Sequence, residues 1–243
     1  MKNKNPFAWM AMAAIVLLPV LGQADVFMKQ KHHTDAMKMM GQTMPAKDEI
    51  RTVWLAEDKA RMDGPENSSI VRLDKNTMVL LDNKKKTCME IPLGKEKSMM
   101  PGMSEQESAT IQKLMKNLPK NVITITPTGE KKKINNWNCT KYIQTFSGME
   151  KSELWATEDI KLNMDVFSKL YAAITAKNPG MGGTMDDMAA EMKKIKGVTV
   201  LTVSAMEMMG SKVNTSTELL EIKEGKAPAG IFEIPAGYKK SGL

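Results

Sequence analysis

The chain has 243 residues, of which 35 are Lys or Arg and 28 are Asp or Glu, so its formal net charge is +7. A chain of this length can bury a sizeable core, in one large domain or two small ones. The basic residues are scattered except for two lysine triplets at 84–86 and 131–133. This spread of charge argues against nucleic acid as a partner.

The N-terminus has the pattern of a cleavable signal peptide. A basic start precedes an apolar run from Ala8 to Leu21, and the small residues Gly22 and Ala24 follow it. The run is shorter than the roughly 20 apolar residues that span a bilayer. We therefore expect residues 1–24 to be removed near Ala24, and residues 25–243 to form a single domain in the periplasm or outside the cell.

The next part of the chain reads as short strands separated by turn signals. A first strand is predicted at 25–33, and a polar stretch follows it as far as Ala46. Short connections between the later strands predict an antiparallel meander. Its strands are expected at 48–56, 59–63, 69–74, 77–82 and 85–91.

A loop at Pro92–Met103 leads to a capping-box pattern at Ser104–Glu107, which predicts a helix. The apolar residues behind this pattern lie on one helical face; they are Ile111, Leu114, Met115 and Leu118. A second group of strands is expected at 121–126, 132–134, 137–145 and 150–156, with a turn at Pro127–Glu130.

Two apolar stripes with helical spacing then predict two more helices. The first stripe is Met164, Phe167, Leu170, Tyr171 and Ile174, and the second is Met185, Met188, Ala189, Met192 and Ile195. Two long strands are expected at 197–209 and 212–223, and the tail from Ala227 carries a short extended piece at 231–234. This order of elements predicts an α+β fold, in which a large curved antiparallel sheet has about three helices packed on its concave face.

Motifs for catalysis are sparse. The sequence has no G-x-S-x-G elbow, no P-loop and no H-E-x-x-H motif. Its two histidines, His32 and His33, are neighbours on a predicted strand, so their side chains point to opposite faces. We mark no catalytic residue and no cofactor, and we expect a protein that is not an enzyme.

The two cysteines, Cys88 and Cys139, allow two interpretations. An oxidising compartment permits a disulfide between them, which would close a loop of about 50 residues and add about 4 kcal/mol in the chain-entropy picture. Two buried, unpaired thiols are the alternative. Their spacing in the sequence does not decide between the two.

Methionine is unusually frequent, with 24 residues. Its flexible, polarizable side chain fills cores and also lines surfaces that accept variable apolar ligands. On the helices, the candidate residues that face the sheet and line such a site are Met115, Phe167, Leu170, Met188 and Met192. Thioethers also bind Cu(I), and a cluster in the predicted loop, Met99, Met100 and Met103, is the candidate for a soft-metal site.

Each lysine triplet stands where a strand is expected to begin after a turn. Lysines at such positions keep sheet edges from pairing with other chains, and they can also contact anionic lipid headgroups. For the triplets we favour edge protection and keep contact with anionic lipid headgroups as the alternative. For the protein as a whole, a membrane or envelope proteins in transient contact are the candidate partners.

Seven short segments carry a family resemblance when they are taken in chain order: Thr52–Ala56, Lys59–Arg61, Ile70–Asp74, Lys86–Glu90, Thr128–Lys132, Trp137–Tyr142 and Ile234–Lys239. Together they resemble the domain of unknown function 4412 family, exported bacterial proteins similar in fold to the lipoprotein carrier LolA. The resemblance implies a half-open barrel, with an incomplete sheet wrapped around helices and acyl chains carried between the layers. Cys139 matches the family pattern, whereas Cys88 stands at a position that is commonly aromatic.

These observations support a leading hypothesis, a periplasmic protein that binds a lipid, an acyl chain or another apolar ligand. A soft-metal protein for copper or silver is the second hypothesis. An envelope scaffold that binds another protein is the third.

Overall fold

The computed structural model describes residues 24–39, 42–93, 123–146, 150–161, 190–208 and 211–241. Within these ranges the chain is almost entirely strand. The strands are β1 (Asp25–Thr34), β2 (Met37–Met39), β3 (Gln42–Met44), β4 (Lys47–Ala56), β5 (Lys59–Asp63), β6 (Asn67–Arg72), β7 (Thr77–Asp82), β8 (Thr87–Pro92), β9 (Ile123–Ile134), β10 (Trp137–Phe146), β11 (Glu150–Thr157), β12 (Val198–Met208), β13 (Ser211–Gly225) and β14 (Lys239–Lys240).

Twelve of these strands form one sheet in the order β14-β8-β7-β6-β5-β4-β1-β13-β12-β11-β10-β9, and β2 and β3 form a separate pair. The large sheet contains two antiparallel meanders, β4 to β8 and β9 to β13. Strand β1 joins them, because it pairs with β4 on one side and with β13 on the other. Strand β14 adds to β8 in parallel. In the described chain, β9 and β14 are the two edges of this sheet.

The fold class predicted from the sequence, α+β with three helices, is wrong for the described chain. Within the described ranges, helix is found only at residues 190–192, near the end of the third predicted helix. The helices predicted behind Ser104 and at 164–174 lie outside the described residues. On β6 to β8, one face of the sheet is covered by the C-terminal segment, whose Phe232, Ile234 and Tyr238 pack on it.

The meander from β4 to β8 closely follows its prediction, because local turn chemistry specifies it. The turn before β7 ends at Asn76 and the turn before β8 ends at Lys86, with φ angles of 53° and 54°. Asn135, between β9 and β10, has a φ angle of 52°. Asn enters this left-handed region more readily than most residues.

Strand β9 differs from the prediction, because residues 127–130 do not form a turn. They continue the strand past an irregular register opposite Thr140 and Tyr142. Gly129 has a φ angle of 78°, which suits a bulge. Pro127 is tolerated because β9 lies at the edge of the sheet, where a missing N–H need not leave a partner strand unpaired.

The buried side chains form three clusters. The largest includes Val26, Val53, Leu55, Trp155 and Leu219, and it lies where the two meanders meet around β1. A second cluster joins β6, β7 and β8 to the C-terminal segment. A third joins β9, β10 and β11, with Ile195 packed against it. The core is therefore continuous around β1 and is extended toward each end of the sheet.

Candidate apolar-ligand site

The two faces of strands β6 to β8 differ in how they are covered. On one face, Ile70, Val79, Leu81 and Cys88 are buried under the C-terminal segment. That segment is held in place by polar contacts as well. The Tyr238 hydroxyl donates to Asn83 Oδ1 at 2.7 Å, and Arg72 Nη1 donates to the Phe232 carbonyl at 3.2 Å.

The opposite face carries two rows that run across β5, β6, β7 and β8 and are apolar except for Ser69; we call them the apolar rows. Residues paired directly across antiparallel strands share a face. One row is Ala60, Val71, Met78 and Ile91, and the other is Met62, Ser69, Leu80 and Met89. We call these eight residues the methionine face.

The methionine face continues the main core but is less covered than the core. Its rows extend into β4 and β1, where Leu55 and Val26 continue the first row and Val53 and Met28 continue the second. Those four residues are buried, whereas the members on β5 to β8 are half-buried and the side chain of Met62 is 45% exposed. Apolar surface therefore passes from the protein interior to solvent along one sheet face.

A cleft of about 310 Å³ opens at this face. Its apolar lining comes from Met62 and Leu80, and its polar lining comes from Glu49, Arg51 and the residues between β5 and β6. The cleft therefore borders an apolar surface on one side and charged groups on the other.

The charged groups beside the cleft are linked by hydrogen bonds. Glu49 accepts from Lys47 Nζ at 2.6 Å and from Arg51 Nη2 at 2.8 Å. These two bonds hold the pKa of Glu49 below its usual value. Glu66 accepts from Lys84 Nζ at 2.8 Å and from Lys47 Nζ at 3.2 Å, and its pKa is lowered as well. Both carboxylates are thus kept ionised.

A second cleft, of about 370 Å³, lies beside the edge strand β9. Lys131, Lys132, Lys133 and Lys196 line it, together with Asp159 and others. The Lys132 ammonium lies 3.9 Å from the centre of the Trp155 ring. The second lysine triplet therefore lies on a sheet edge, as edge protection requires, while the first lies in and beside the turn between β7 and β8.

The ligand and metal candidates chosen from the sequence fall mostly outside the described residues. This holds for Met115, Phe167, Leu170 and Met188 and for the proposed metal cluster Met99, Met100 and Met103, so these assignments stay predictions. Met192 is described; its side chain is 38% exposed and lies in the helical turn at 190–192. Among the described residues, no group of three or more His, Cys, Asp or Glu is placed to hold a metal ion.

The structure does not bring the two cysteines together. Both are buried and unpaired. Cys88 belongs to the cluster beneath the C-terminal segment, and Cys139 belongs to the main core. Their strands, β8 and β10, lie near opposite ends of the sheet order. Burial raises the pKa of the Cys139 thiol, which keeps it protonated.

The strand methionines of this site were missed in the sequence. Met62, Met78 and Met89 are isolated from one another along the chain, so they formed no visible cluster. The available signal was strand alternation, which places each of them on the same face as its cross-strand neighbours once the hairpin registers are known.

No helix within the described part of the chain combines the length and apolar character needed to cross a bilayer.

The fold and the site define a protein class: an open antiparallel sheet protein with one partly uncovered, methionine-bearing face. The chain belongs to the family described as Domain of unknown function (DUF4412), whose model matches residues 27–238. This confirms the resemblance found in the sequence. No curated protein matches the sequence.

Three solved structures align with most of this chain. An uncharacterized conserved protein from Thermus thermophilus aligns at a TM-score of 0.47 and 6% identity, with 90% of each chain covered. A LolA superfamily protein, NE2245 from Nitrosomonas europaea, aligns with a TM-score of 0.31 and 8% sequence identity, and the alignment covers 86% of this chain and 90% of that one. The structure of PNGF-II aligns with a TM-score of 0.37 and 14% sequence identity. The alignment covers 90% of this chain but only 31% of the PNGF-II chain.

Proposed function

We propose that this protein binds a lipid or another apolar ligand on its methionine face, without catalysing a reaction, after export to the periplasm. The observation that carries the proposal is the pair of apolar rows on β5 to β8, which continue the buried core but are left half-exposed. Soluble proteins bury such rows or use them for binding, because exposed apolar surface is unfavourable in water.

The composition of the face suits a ligand of variable shape. Met62, Met78 and Met89 contribute three unbranched thioether side chains, which repack around irregular apolar surfaces more easily than β-branched residues do. The row that contains Met62 and Met89 spans four strands, and three strand spacings correspond to about 14 Å. The face therefore has room for an extended hydrocarbon chain.

The test compares two methionines with matched exposure. Met62 is 45% exposed on the methionine face, and Met44 is 46% exposed on the separate β2–β3 pair. In the full-length protein stripped of bound lipid, we expect Met62→Glu to weaken the binding of a fluorescent fatty acid at least about tenfold, because a carboxylate would be placed against hydrocarbon. We expect Met44→Glu to leave binding unchanged.

Fluorescence titration measures both affinities, and thermal unfolding checks that both variants fold. Equal binding by the wild type and Met62→Glu would remove the methionine face as the site. Absence of saturable binding by the wild type would contradict the proposed function itself.

A further inference from the structure

The face that carries the apolar rows changes character along strand β4. Leu55 and Val53 belong to the two apolar rows, and the next residues on the same face are Arg51, Glu49 and Lys47. Strand β1 changes in step, because Met28 pairs with Val53, Gln30 with Arg51 and His32 with Glu49. One continuous surface is therefore apolar at one end and polar at the other.

The polar end extends across further strands through hydroxyl-bearing residues. On the same face, His32 is opposite Thr217 and Thr34 is opposite Thr215. His32 Nδ1 lies 3.0 Å from Thr217 Oγ1. Farther along, Ser152 Oγ lies 2.8 Å from Ser204 Oγ. Hydroxyl and imidazole groups thus continue the polar end of this face from β4 across β1, β13, β12 and β11.

The 310 Å³ cleft lies at the junction of the two regions. Met62, Ser69 and Leu80 come from the second apolar row, and Arg51 and Glu49 come from the polar end. A molecule that occupied this cleft would contact hydrocarbon on one side and a guanidinium on the other.

Most N–H groups of the Arg51 guanidinium donate no hydrogen bond within the described chain. A guanidinium carries five N–H donors in a planar fork, and within the described chain Arg51 donates one hydrogen bond, from Nη2 to Glu49 Oε2. Its side chain is 36% exposed. The charged side chains linked at the cleft are Lys47, Arg51 and Lys84 against Glu49 and Glu66, which leaves one positive charge in excess.

We propose that the ligand is an anionic amphiphile, with its acyl chain along the methionine face and its negatively charged head at Arg51. This inference rests on the proposed function and adds the ligand class to it. A carboxylate or phosphodiester head would accept charge-assisted hydrogen bonds from the unused N–H groups of Arg51. The backbone and side chains of the segment between β5 and β6 would border that head.

The experiment measures the binding of laurate and lauryl alcohol to the full-length protein by titration calorimetry. The two probes have the same number of carbon atoms and differ in the head, which is a carboxylate in laurate and a neutral hydroxyl in the alcohol. We expect laurate to bind about tenfold more tightly than the alcohol, and we expect the preference to shrink to about twofold in Arg51→Gln. Lys85→Gln is the matched control, because it removes one positive charge from a side chain that is 78% exposed, in the turn between β7 and β8; it should keep the preference.

A second pair of probes separates the two sources of such a head. Lysophosphatidylglycerol and lysophosphatidylcholine both carry a phosphodiester, but only the first has a net negative charge. Tighter binding of lysophosphatidylglycerol than of lysophosphatidylcholine would support recognition of the negative charge, and tighter binding of lysophosphatidylcholine would contradict it. Tighter binding of lysophosphatidylglycerol than of laurate would identify a phospholipid head, and the reverse order would identify a free fatty acid.

Equal affinity for laurate and lauryl alcohol in the wild type would overturn the inference and leave the proposed function standing. A full preference retained in Arg51→Gln would overturn the placement of the head. Failure of all four probes to bind would contradict the proposed function as well. The wild-type comparison needs no variant, so it is decisive even if Arg51→Gln does not fold.

Discussion

His32 and His33 are adjacent in the sequence but have different surroundings in the fold. His33 Nδ1 lies 2.6 Å from Asp48 Oδ1, and its Nε2 lies 3.0 Å from Asp35 Oδ1. Its pKa is raised above 6.5 by hydrogen bonds with Asp48 and then with Asp35. Burial, followed by the charge of Arg51, lowers the pKa of His32 below 6.5. Because the two side chains lie on opposite faces of one strand, their pKa values are shifted in opposite directions.

An NMR titration of the two imidazole rings tests this difference. We expect the His33 resonance to titrate above pH 6.5 and the His32 resonance below it. Asp48→Asn should lower the pKa of His33 toward its ordinary value, with little change at His32. Coincident titration curves for the two rings would contradict the geometry.

The raised pKa of His33 also makes the stability of the protein depend on pH. Because the pKa of folded His33 is raised, its stabilising effect is fully present below the unfolded pKa, near 6.5, and is lost as pH rises through the folded pKa. The loss of unfolding free energy caused by His33→Gln should therefore be larger in mildly acidic solution than in alkaline solution, as urea unfolding at several pH values would show.

The methionines of the methionine face could not be recognised as a site from their individual positions in the sequence. Each of Met62, Met78 and Met89 looks like an ordinary apolar strand residue in its own sequence window. Only the pairing of β5, β6, β7 and β8 puts them on one face. The local sequence shows the alternation of apolar and polar residues along each strand. It does not show the register between strands or how exposed each side chain is.

Among the elements, β12 is preceded by a position that accepts only glycine. Gly197 has a φ angle of 87°, and a Cβ there would overlap the carbonyl oxygen of Thr157, the buried last residue of β11. Gly230 has a similar φ angle of 75°, but nothing lies within 4 Å of its ideal Cβ. The two glycines therefore separate the cost of a backbone clash from the cost of backbone conformation.

We expect Gly197→Ala to destabilise the protein by more than about 3 kcal/mol or to prevent folding, because backbone must move and the pairing of β11 with β12 is disturbed. Gly230→Ala should cost only about 1–2 kcal/mol, the usual penalty for a left-handed conformation. Urea unfolding measures both. Equal losses of unfolding free energy in the two variants would show that the overlap with the Thr157 carbonyl is relieved without cost.

Strand β9 and the predicted helices show the limits of reading single elements. Pro127 and Gly129 gave a strong turn signal, but at a sheet edge the same residues fit a bulged strand. Apolar stripes predicted helices, and the fold class followed from counting them. The C-terminal segment had weak local signals, yet it covers β6 to β8 because its Phe232, Ile234 and Tyr238 find an apolar face there.

At the scale of the whole molecule, β1 is the strand that unites the sheet. It connects the meander of β4 to β8 with the meander of β9 to β13, and its Val26 and Met28 lie in the main core. Strand β1 begins at Asp25, the residue after the predicted cleavage site. Removal of residues 1–24 would therefore leave this central strand whole.

Cleavage after Ala24 is a direct prediction for the intact cell. We expect the protein purified from the envelope to have an intact mass that corresponds to Asp25 as its first residue. Ala24→Leu should slow processing, because signal peptidase requires a small residue there. A purified protein that retains residues 1–24 would contradict the predicted signal peptide.

The sequence by itself determined the antiparallel meanders, most strand positions and the family, because turn residues and alternation act over a few neighbours and are visible in a short window. Tertiary structure decided which face of β5 to β8 is only half-buried, which segment packs on the other face of β6 to β8, and that Cys88 and Cys139 lie apart. These features depend on registers and on contacts between residues far apart in the chain, such as Arg51 beside Met62 and Phe232 over β6 to β8. Burial of apolar surface is non-directional, so composition alone does not choose which of several apolar faces will be covered.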